Sequence, residues 1–382
     1  MLDYYKTYNL ETRLLLVVIS SLFLPFFISG SVMVSVTIYL FKSKQNRNVI
    51  KNSGIDRLLY IIALYNIVIS IINLNILGVL AGVYLLFLFT FFIIIKTKMT
   101  KQLIEDIGDL CCGLSYISCF IAIVQLHVFG TSDPEWRADS TFFNPNYYAY
   151  LIGFFCLFAL YKAVTGKQKR DFYFLTFIIN VFALYLCDTR STIVVLAGGI
   201  LVVLLSLRRY KYFGFASLIC VAGVSLVTKY PQIIPRYEDL GFALMKRLRI
   251  VEAGFYAFLD KPIFGRGIYS YMSIFGEYDG AQSMHLHNLY LDTLLNFGIV
   301  GTIIIAIYLA FCFKKVYNYY LEGKTMRPFI LLVGILSEIL IHGFTDIPFL
   351  GIETSILTIV FCSILGIAEN NNSNHKIKSG VG

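Results

Sequence analysis

Charge is scarce in this chain of 382 residues: Asp, Glu, Lys and Arg together make up 14%, against about 25% in an ordinary soluble domain. So few charged side chains cannot solvate a water-soluble core, and the 58% hydrophobic content points to a chain solvated by lipid. Long polar stretches are missing as well. None exceeds the one at 228–287, which leaves room for one membrane domain with one sizeable loop. No basic run is interleaved with aromatics, so nucleic acid is not an expected partner. The cysteines (Cys111, Cys112, Cys119, Cys156, Cys187, Cys220, Cys312 and Cys362) form no Cys-x-x-Cys pair and have no histidine at metal-ligand spacing. They read as small apolar fillers. No small-residue cleavage site follows the first apolar run, which therefore reads as an anchor and not as a removed signal peptide. Internal repeats of fixed period are absent too.

What the chain has in abundance is apolar runs, at about 58–74, 76–95, 107–129, 143–161, 171–187, 191–207, 212–228, 287–313, 328–346 and 349–367. A bilayer core is crossed by about 20 residues of helix. These lengths suit helices better than the roughly ten-residue alternating strands of a membrane barrel. The excess of positive charge, +9 overall, gathers at 42–57, 96–101, 162–170, 208–211 and 314–327. If the first of these segments is cytoplasmic, every later one falls on the same side after an even number of crossings. The acidic segment 130–140, with Asp133, Glu135 and Asp139 against Arg137, falls on the other side. A further run at 14–41, with Pro25 and Gly30 near its middle, is long for one helix and short for two. The expected fold is an all-α polytopic membrane protein, a bundle of 11–12 transmembrane helices in a single domain over 1–367. An outer-face loop at 229–286 lies within it, and 368–382 forms a disordered cytoplasmic tail.

Unusual polar residues collect on the outer side. At 285–301 the chain reads HLHNLYLDTLLNFGIVG, placing His287 and Asn288 at the outer start of a span, with Gly298 and Gly301 available for close helix packing. An imidazole there is a candidate proton acceptor near neutral pH; the plainer alternative is a histidine that only caps the helix. Arg190, in LCDTRSTIV, is a cation at an outer turn, against the positive-inside trend. Its rigid guanidinium fork suits a phosphate, and snorkelling toward lipid phosphate is the plainer alternative. The stretch GFALMKRLRIVEAGFYAFL at 241–259 has Leu244, Leu248, Val251, Phe255 and Phe258 at helical spacing and predicts an amphipathic helix at the interface, with Lys246, Arg247 and Arg249 as its basic part. DKPIFGRGIYSY follows, where Pro262 ends the helix and Gly265 and Gly267 permit a tight turn. Asn144 and Asn146 flank Pro145 at the outer start of another span, a position that commonly holds a helix cap. Glu338 stands mid-span with His342 one turn later on the same face.

In this order and spacing, FFNPNYYAYL, DTRSTIVV, KRLRIVEAGFYAFLDKPIFGRG and HLHNLYLDTLLNFGIVG resemble the bacterial O-antigen polymerase and O-antigen ligase superfamily. The family's His-Asn-x-Tyr-Leu and Gly-x-x-Gly pattern is met by His287, Asn288, Tyr290, Leu291, Gly298 and Gly301. Its arginine ahead of an apolar helix ending in Pro-x-x-Gly-x-Gly is met by Arg249, Pro262, Gly265 and Gly267. The resemblance covers 140–305, and HGFTD at 342–346 is a weak echo downstream. Two departures stand out. The aromatic that follows the loop arginine is displaced to Phe255 or Tyr256, and Arg266 intrudes into the glycine turn, which leaves Arg249, Arg247 and Arg266 as alternatives.

The resemblance implies a glycosyltransferase in the bacterial cytoplasmic membrane with its site on the outer face. It would move glycan from an undecaprenyl-diphosphate-linked oligosaccharide to a hydroxyl of an acceptor glycan, inverting the anomeric centre, without metal or other cofactor. His287 would be the general base and Arg190 and Arg249 would bind the diphosphate, supported by Asn288, Arg247, Arg266, Asn144, Asn146, Tyr290 and His342. A polymerase would act on a lipid-linked repeat and have a flippase and a chain-length regulator as partners. A ligase would pass the chain to lipid A core or a protein. A secondary transporter is the reading from another class, and it calls for repeats and midplane charges of which only Glu338 is present.

Overall fold

The computed structural model describes residues 8–131, 136–166, 168–233, 237–323 and 326–369. From residue 370 onward the expected cytoplasmic tail lies outside the described residues, as do Asp133 and Glu135 of the acidic loop.

Proline divides the N-terminal apolar run. Pro25 has no backbone N–H and its ring obstructs the turn before it, so α1 (Leu10–Ser21) ends and α2 (Phe26–Phe41) begins there. Ser29 donates its hydroxyl to the Ser21 carbonyl at 2.6 Å, satisfying a group that the break leaves unpaired. A short polar helix, α3 (Lys44–Lys51), turns away from α2 by 96°. The ten remaining runs are all helical: α4 (Arg57–Ile72), α5 (Ile76–Lys98), α6 (Lys101–Val124), α7 (Pro145–Thr165), α8 (Arg170–Cys187), α9 (Arg190–Ser206) and α10 (Tyr210–Lys229), and then, beyond the long loop, α13 (Leu289–Leu321), α14 (Arg327–His342) and α15 (Ile352–Cys362). The loop itself contains α11 (Leu240–Asp260) and α12 (Tyr271–Ile274).

Among the described residues there is no strand, and eight helical spans are long and apolar enough to cross a membrane, or up to nine if the bent α2–α3 pair is one span. The chain is an all-α multi-pass membrane protein. At 17 and 16 residues, α9 and α14 are shorter than the roughly 20 residues of a full crossing. In the middle of the bundle stands α7, with 78% of its apolar window buried, whereas none of the α10 window is buried. None of that helix's residues is fully buried, so most of its surface is left to lipid. At one end of the bundle Lys96 bonds Asp56 and, at 2.9 Å, Glu369, while Tyr308 donates to Asp56 at 3.1 Å. These contacts tie the start of α4 to α5, α13 and the chain's last described turn.

The helix expected at 241–259 forms as α11, and its apolar stripe is distinct from the face that packs on the protein. Ile250 and the small residues Ala253, Gly254 and Ala257 face the protein, against Tyr271, Ile274, Leu286 and Leu295. Leu244, Leu248 and Phe255 are exposed, so the stripe points outward.

The long helix α13 is broken at Gly298, whose φ of 61° and ψ of −172° belong to a region that only glycine occupies readily. The turn at 262–267 docks into that break. Ile299 and Val300 donate to the carbonyls of Pro262 (2.8 Å) and Ile263 (3.1 Å), while Arg266 and Gly267 donate to those of Leu295 (2.9 Å) and Asn296 (2.8 Å). The approach is close enough that a Cβ on Gly298 would lie 2.4 Å from the Ile263 carbonyl, and one on Gly265 would lie 2.5 Å from the Gly298 nitrogen. Tyr65 of α4 closes the junction by donating to the carbonyls of Phe264 and Phe297, each at 2.9 Å. Gly298→Ala is therefore expected to cost more than about 2 kcal/mol, read as a lower unfolding temperature and a reduced folded yield in detergent. Gly214→Ala on α10, where nothing lies within 4 Å, should leave both unchanged; equal behaviour of the two variants would mean that the junction does not hold the fold.

Candidate functional site

The docked turn and α11 together form the floor for the His-Leu-His segment. Leu286 is fully buried and fills the space left by Gly254, where a Cβ would come within 2.4 Å of it. Its two neighbours, His285 and His287, project away from that floor. The segment is held from the other side by Asp292, whose carboxylate accepts from the Leu286 amide at 3.0 Å and from the Asn296 amide at 2.6 Å. Asn288 is the N-cap of α13, accepting from the Leu291 amide at 2.9 Å. Immediately before it, His287 has a φ of 51°, an uncommon left-handed conformation for a side-chain-bearing residue. Backbone strain of this kind is maintained only where the surroundings enforce it.

Leu289 donates to the Gly343 carbonyl at 2.7 Å, bringing the start of α13 against the end of α14. Just beyond that end, Asp346 becomes the centre of the site. His287 Nδ1 is 3.1 Å and His285 Nε2 3.6 Å from its Oδ1, the Ile347 amide donates to the same oxygen at 2.9 Å, and the Tyr150 hydroxyl donates to Oδ2. A carboxylate only accepts, so the ring nitrogen of His287 that faces it carries the hydrogen and Nε2 is left as the acceptor. Ser283 Oγ stands 3.3 Å from that Nε2. The His287 side chain keeps 23% of its surface exposed, against 10% for His285 and 6% for Asp346, so within this trio it is the group that an outside molecule reaches.

Burial opposes charge on Asp346, but the His287 hydrogen bond and the two facing imidazoles hold its carboxyl below the usual carboxylate range. Burial also pulls the His285 imidazole from its usual 6.5 down to about 4; Asp346 works the other way, and His287 and Arg247 add to the lowering. The His287 amide donates to His285 Nδ1 at 3.2 Å, which puts the His285 proton on Nε2, toward Asp346. The ligand atoms of His285, His287 and Asp346 lie within 4.8 Å of one another, close enough to share a cation. As arranged, His287 donates to the carboxylate and His285 turns its N–H toward it from 3.6 Å, and a metal would have to displace both protons.

The other residues singled out in the sequence are distributed around this centre. His342 is buried, its ring stacked edgewise on Tyr150 at 4.2 Å and its Nε2 3.4 Å from Ser191 Oγ. Arg190 is the first residue of α9, adjacent to Ser191. Asn144 caps α7, accepting from the Asn146 amide at 2.9 Å, and Asn146 accepts from Arg137 at 3.4 Å. Tyr290 is partly exposed and donates to the Leu340 carbonyl at 2.7 Å. The three loop arginines separate: Arg247 is half-buried and its charge reaches His285, Arg249 is exposed, and Arg266 is buried with its guanidinium on the Ala257 carbonyl (3.1 Å) and the Tyr278 hydroxyl (2.7 Å). Glu338 is buried mid-helix against Gly199 of α9 and is not part of the cluster around Asp346.

Asp346, Tyr150 and Ser283 are the members that sequence reasoning passed over. Asp346 lies one helical turn after His342 and closes the HGFTD segment, and those were its only local signals. Because folding withholds from His285 a proton that the unfolded chain takes up below its usual 6.5, stability should be full above pH 6.5 and decline toward pH 4, by up to about 3 kcal/mol. The unfolding temperature should thus drop more steeply between about pH 7 and about pH 5 in the wild type than in His285→Gln. Parallel slopes would remove His285 as the cause.

Comparison with curated proteins gives no match. A family model does match: residues 175–306 fit the one described as O-antigen ligase, a stretch running from α8 through the loop arginines and the His-Leu-His segment into α13. Over that stretch, which is less than half of the chain, the protein is similar to the O-antigen ligase family.

Proposed function

We propose that the protein is a polysaccharide polymerase that transfers glycan from an undecaprenyl-diphosphate-linked donor to a hydroxyl of a lipid-linked acceptor repeat, at the outer face of the bacterial cytoplasmic membrane. The observation that carries this reading is the His287–Asp346 pair. An acceptor hydroxyl must lose its proton as its oxygen attacks the anomeric carbon, and His287 Nε2 is the group that takes it. Asp346 fixes the tautomer and stabilises the imidazolium that forms. Ser283 Oγ, 3.3 Å away, occupies the position that such a hydroxyl would take. A general base contributes about 100- to 10,000-fold.

The diphosphate leaves on the opposite side of the sugar, which inverts the anomeric centre. Its developing charge needs fixed cations, each worth roughly 3 to 4 kcal/mol in a water-poor site. Arg190 at the start of α9 is one. For the loop arginine the geometry favours Arg247, whose charge reaches the cluster, over the exposed Arg249 and the internally bonded Arg266. Asp346 does not repel the donor because its carboxylate is buried and its charge is taken up by His287, Ile347 and Tyr150. The cluster stands at the ends of α7 and α14 and not midway along them, which supports transfer over transport. The family description favours one second reading, a ligase that hands the finished chain to lipid A core or a protein.

Glycan ladders from cells lacking the protein, complemented with variants, test this reading. Without the protein, a polymerase leaves single repeat units on the lipid carrier, a ligase leaves long chains there, and unchanged glycans would reject transfer altogether. His287→Ala and Asp346→Asn should each lower transfer at least about 100-fold with folded yield retained. Arg190→Lys should be nearly as damaging, because the bidentate fork is lost.

A further inference from the structure

The turn that carries Ser283 rests on the same floor as the histidines. Tyr271 is buried and donates its hydroxyl to the Ala281 carbonyl at 3.0 Å. A Cβ on Gly280 would lie 2.4 Å from that hydroxyl and 2.7 Å from the Ala253 methyl, so the main chain there sits directly on α11 and Tyr271. The serine side chain adds two bonds of its own: Oγ donates to the His285 carbonyl at 2.7 Å and accepts from the His285 amide at 3.4 Å. In that position it stands 3.3 Å from His287 Nε2. With the hydrogen on Nδ1, Nε2 has a single lone pair to offer. An oxygen in front of that lone pair has to swing away before another hydroxyl can bond there in line.

Two kinds of molecule compete for the vacated place, an acceptor hydroxyl and water. With the main chain pinned, the swing is a rotation about the serine Cα–Cβ bond, and it breaks both bonds to His285. Water returns one hydrogen bond for the two that are lost. An acceptor saccharide returns that bond and adds those of its remaining hydroxyls, so the exchange favours the saccharide.

We propose that Ser283 sets the specificity of the site for a saccharide acceptor over water, by holding the place in front of His287 Nε2 until an acceptor hydroxyl displaces it. This role rests on the transfer reading above. If water entered instead, its oxygen would form the bond to the anomeric carbon and its proton would pass to His287. The bond from that carbon to the diphosphate would break with the electron pair leaving on the diphosphate, and a free reducing glycan would be released. Ser283 exchanges no proton in either reaction; it determines which of the two His287 serves.

The purified full chain, supplied with an undecaprenyl-diphosphate-linked repeat, is assayed for two products, free reducing glycan and transferred glycan. In Ser283→Ala the ratio of hydrolysed to transferred glycan should rise about fivefold, the weight of one hydrogen bond. Ser283→Thr keeps the hydroxyl and should hold the wild-type ratio, which a merely structural serine would not require. Should Ser283→Ala fail to fold, Ser283→Gly removes the same oxygen and gives the same readout. An unchanged ratio, or one that rises equally in Ser283→Thr, would overturn the proposal. His287→Ala, run alongside, should abolish both products. If it still transfers glycan, the transfer reading falls and this role with it; if it is inactive while Ser283→Ala partitions like the wild type, the role of Ser283 alone falls.

Discussion

Lipid supplies no hydrogen-bond partners, so a membrane helix can be broken only where the protein itself pairs the backbone groups that the break sets free. In α13 the break is at Gly298, and the turn at 262–267 provides four backbone hydrogen bonds across it. This exchange works in both directions. It satisfies the broken helix, and it anchors the long loop, because α11 runs directly into the docked turn. Neither glycine at the contact can accept a side chain, since Gly265 and Gly298 meet backbone to backbone.

The geometry of the His–Asp cluster follows from that anchor. With α11 fixed, Gly254 receives Leu286, and the flanking histidines have only the opposite side open to them. There the end of α14 delivers Asp346. A buried carboxylate is costly unless it is well paired, and this one has two imidazoles, a backbone amide and a tyrosine hydroxyl around it. The arrangement keeps negative charge inside while leaving one imidazole nitrogen facing out. Under the proposed transfer reaction that division matters, because an exposed carboxylate would repel a diphosphate.

Much of this was legible in the residue order because it depends on local chemistry. Pro25, the apolar runs and the caps at Asn144 and Asn288 act within a few residues of themselves, and lipid solvation makes long apolar runs into helices with few alternatives. The site was legible in part. His287 and the arginines stood out as polar groups where polar groups are rare. Asp346 did not, because its partner His287 lies 59 residues away and nothing between them carries a period. The residue order showed the glycines as a tight turn and left Arg266 as one of three loop arginines; in the fold the turn closes the break in α13 and Arg266 bonds Tyr278. The apolar stripe of α11 gave the helix but not its packing, since in a membrane protein the most apolar face is not required to be the face that packs on protein.

Residue order alone thus settled the solvent, the secondary structure and the helical runs, because hydrophobicity and helix length are properties of single segments. Which side chains meet was decided by the tertiary structure: α7, α13 and α14 converge on Asp346 from positions scattered over some two hundred residues, from Tyr150 to Asp346 itself. The physical reason is that a hydrogen bond between distant segments depends on the packing of every helix between them, and small contacts such as Gly254 on Leu286 and Gly265 on Gly298 set that packing. Their effect appears only when the chain is folded.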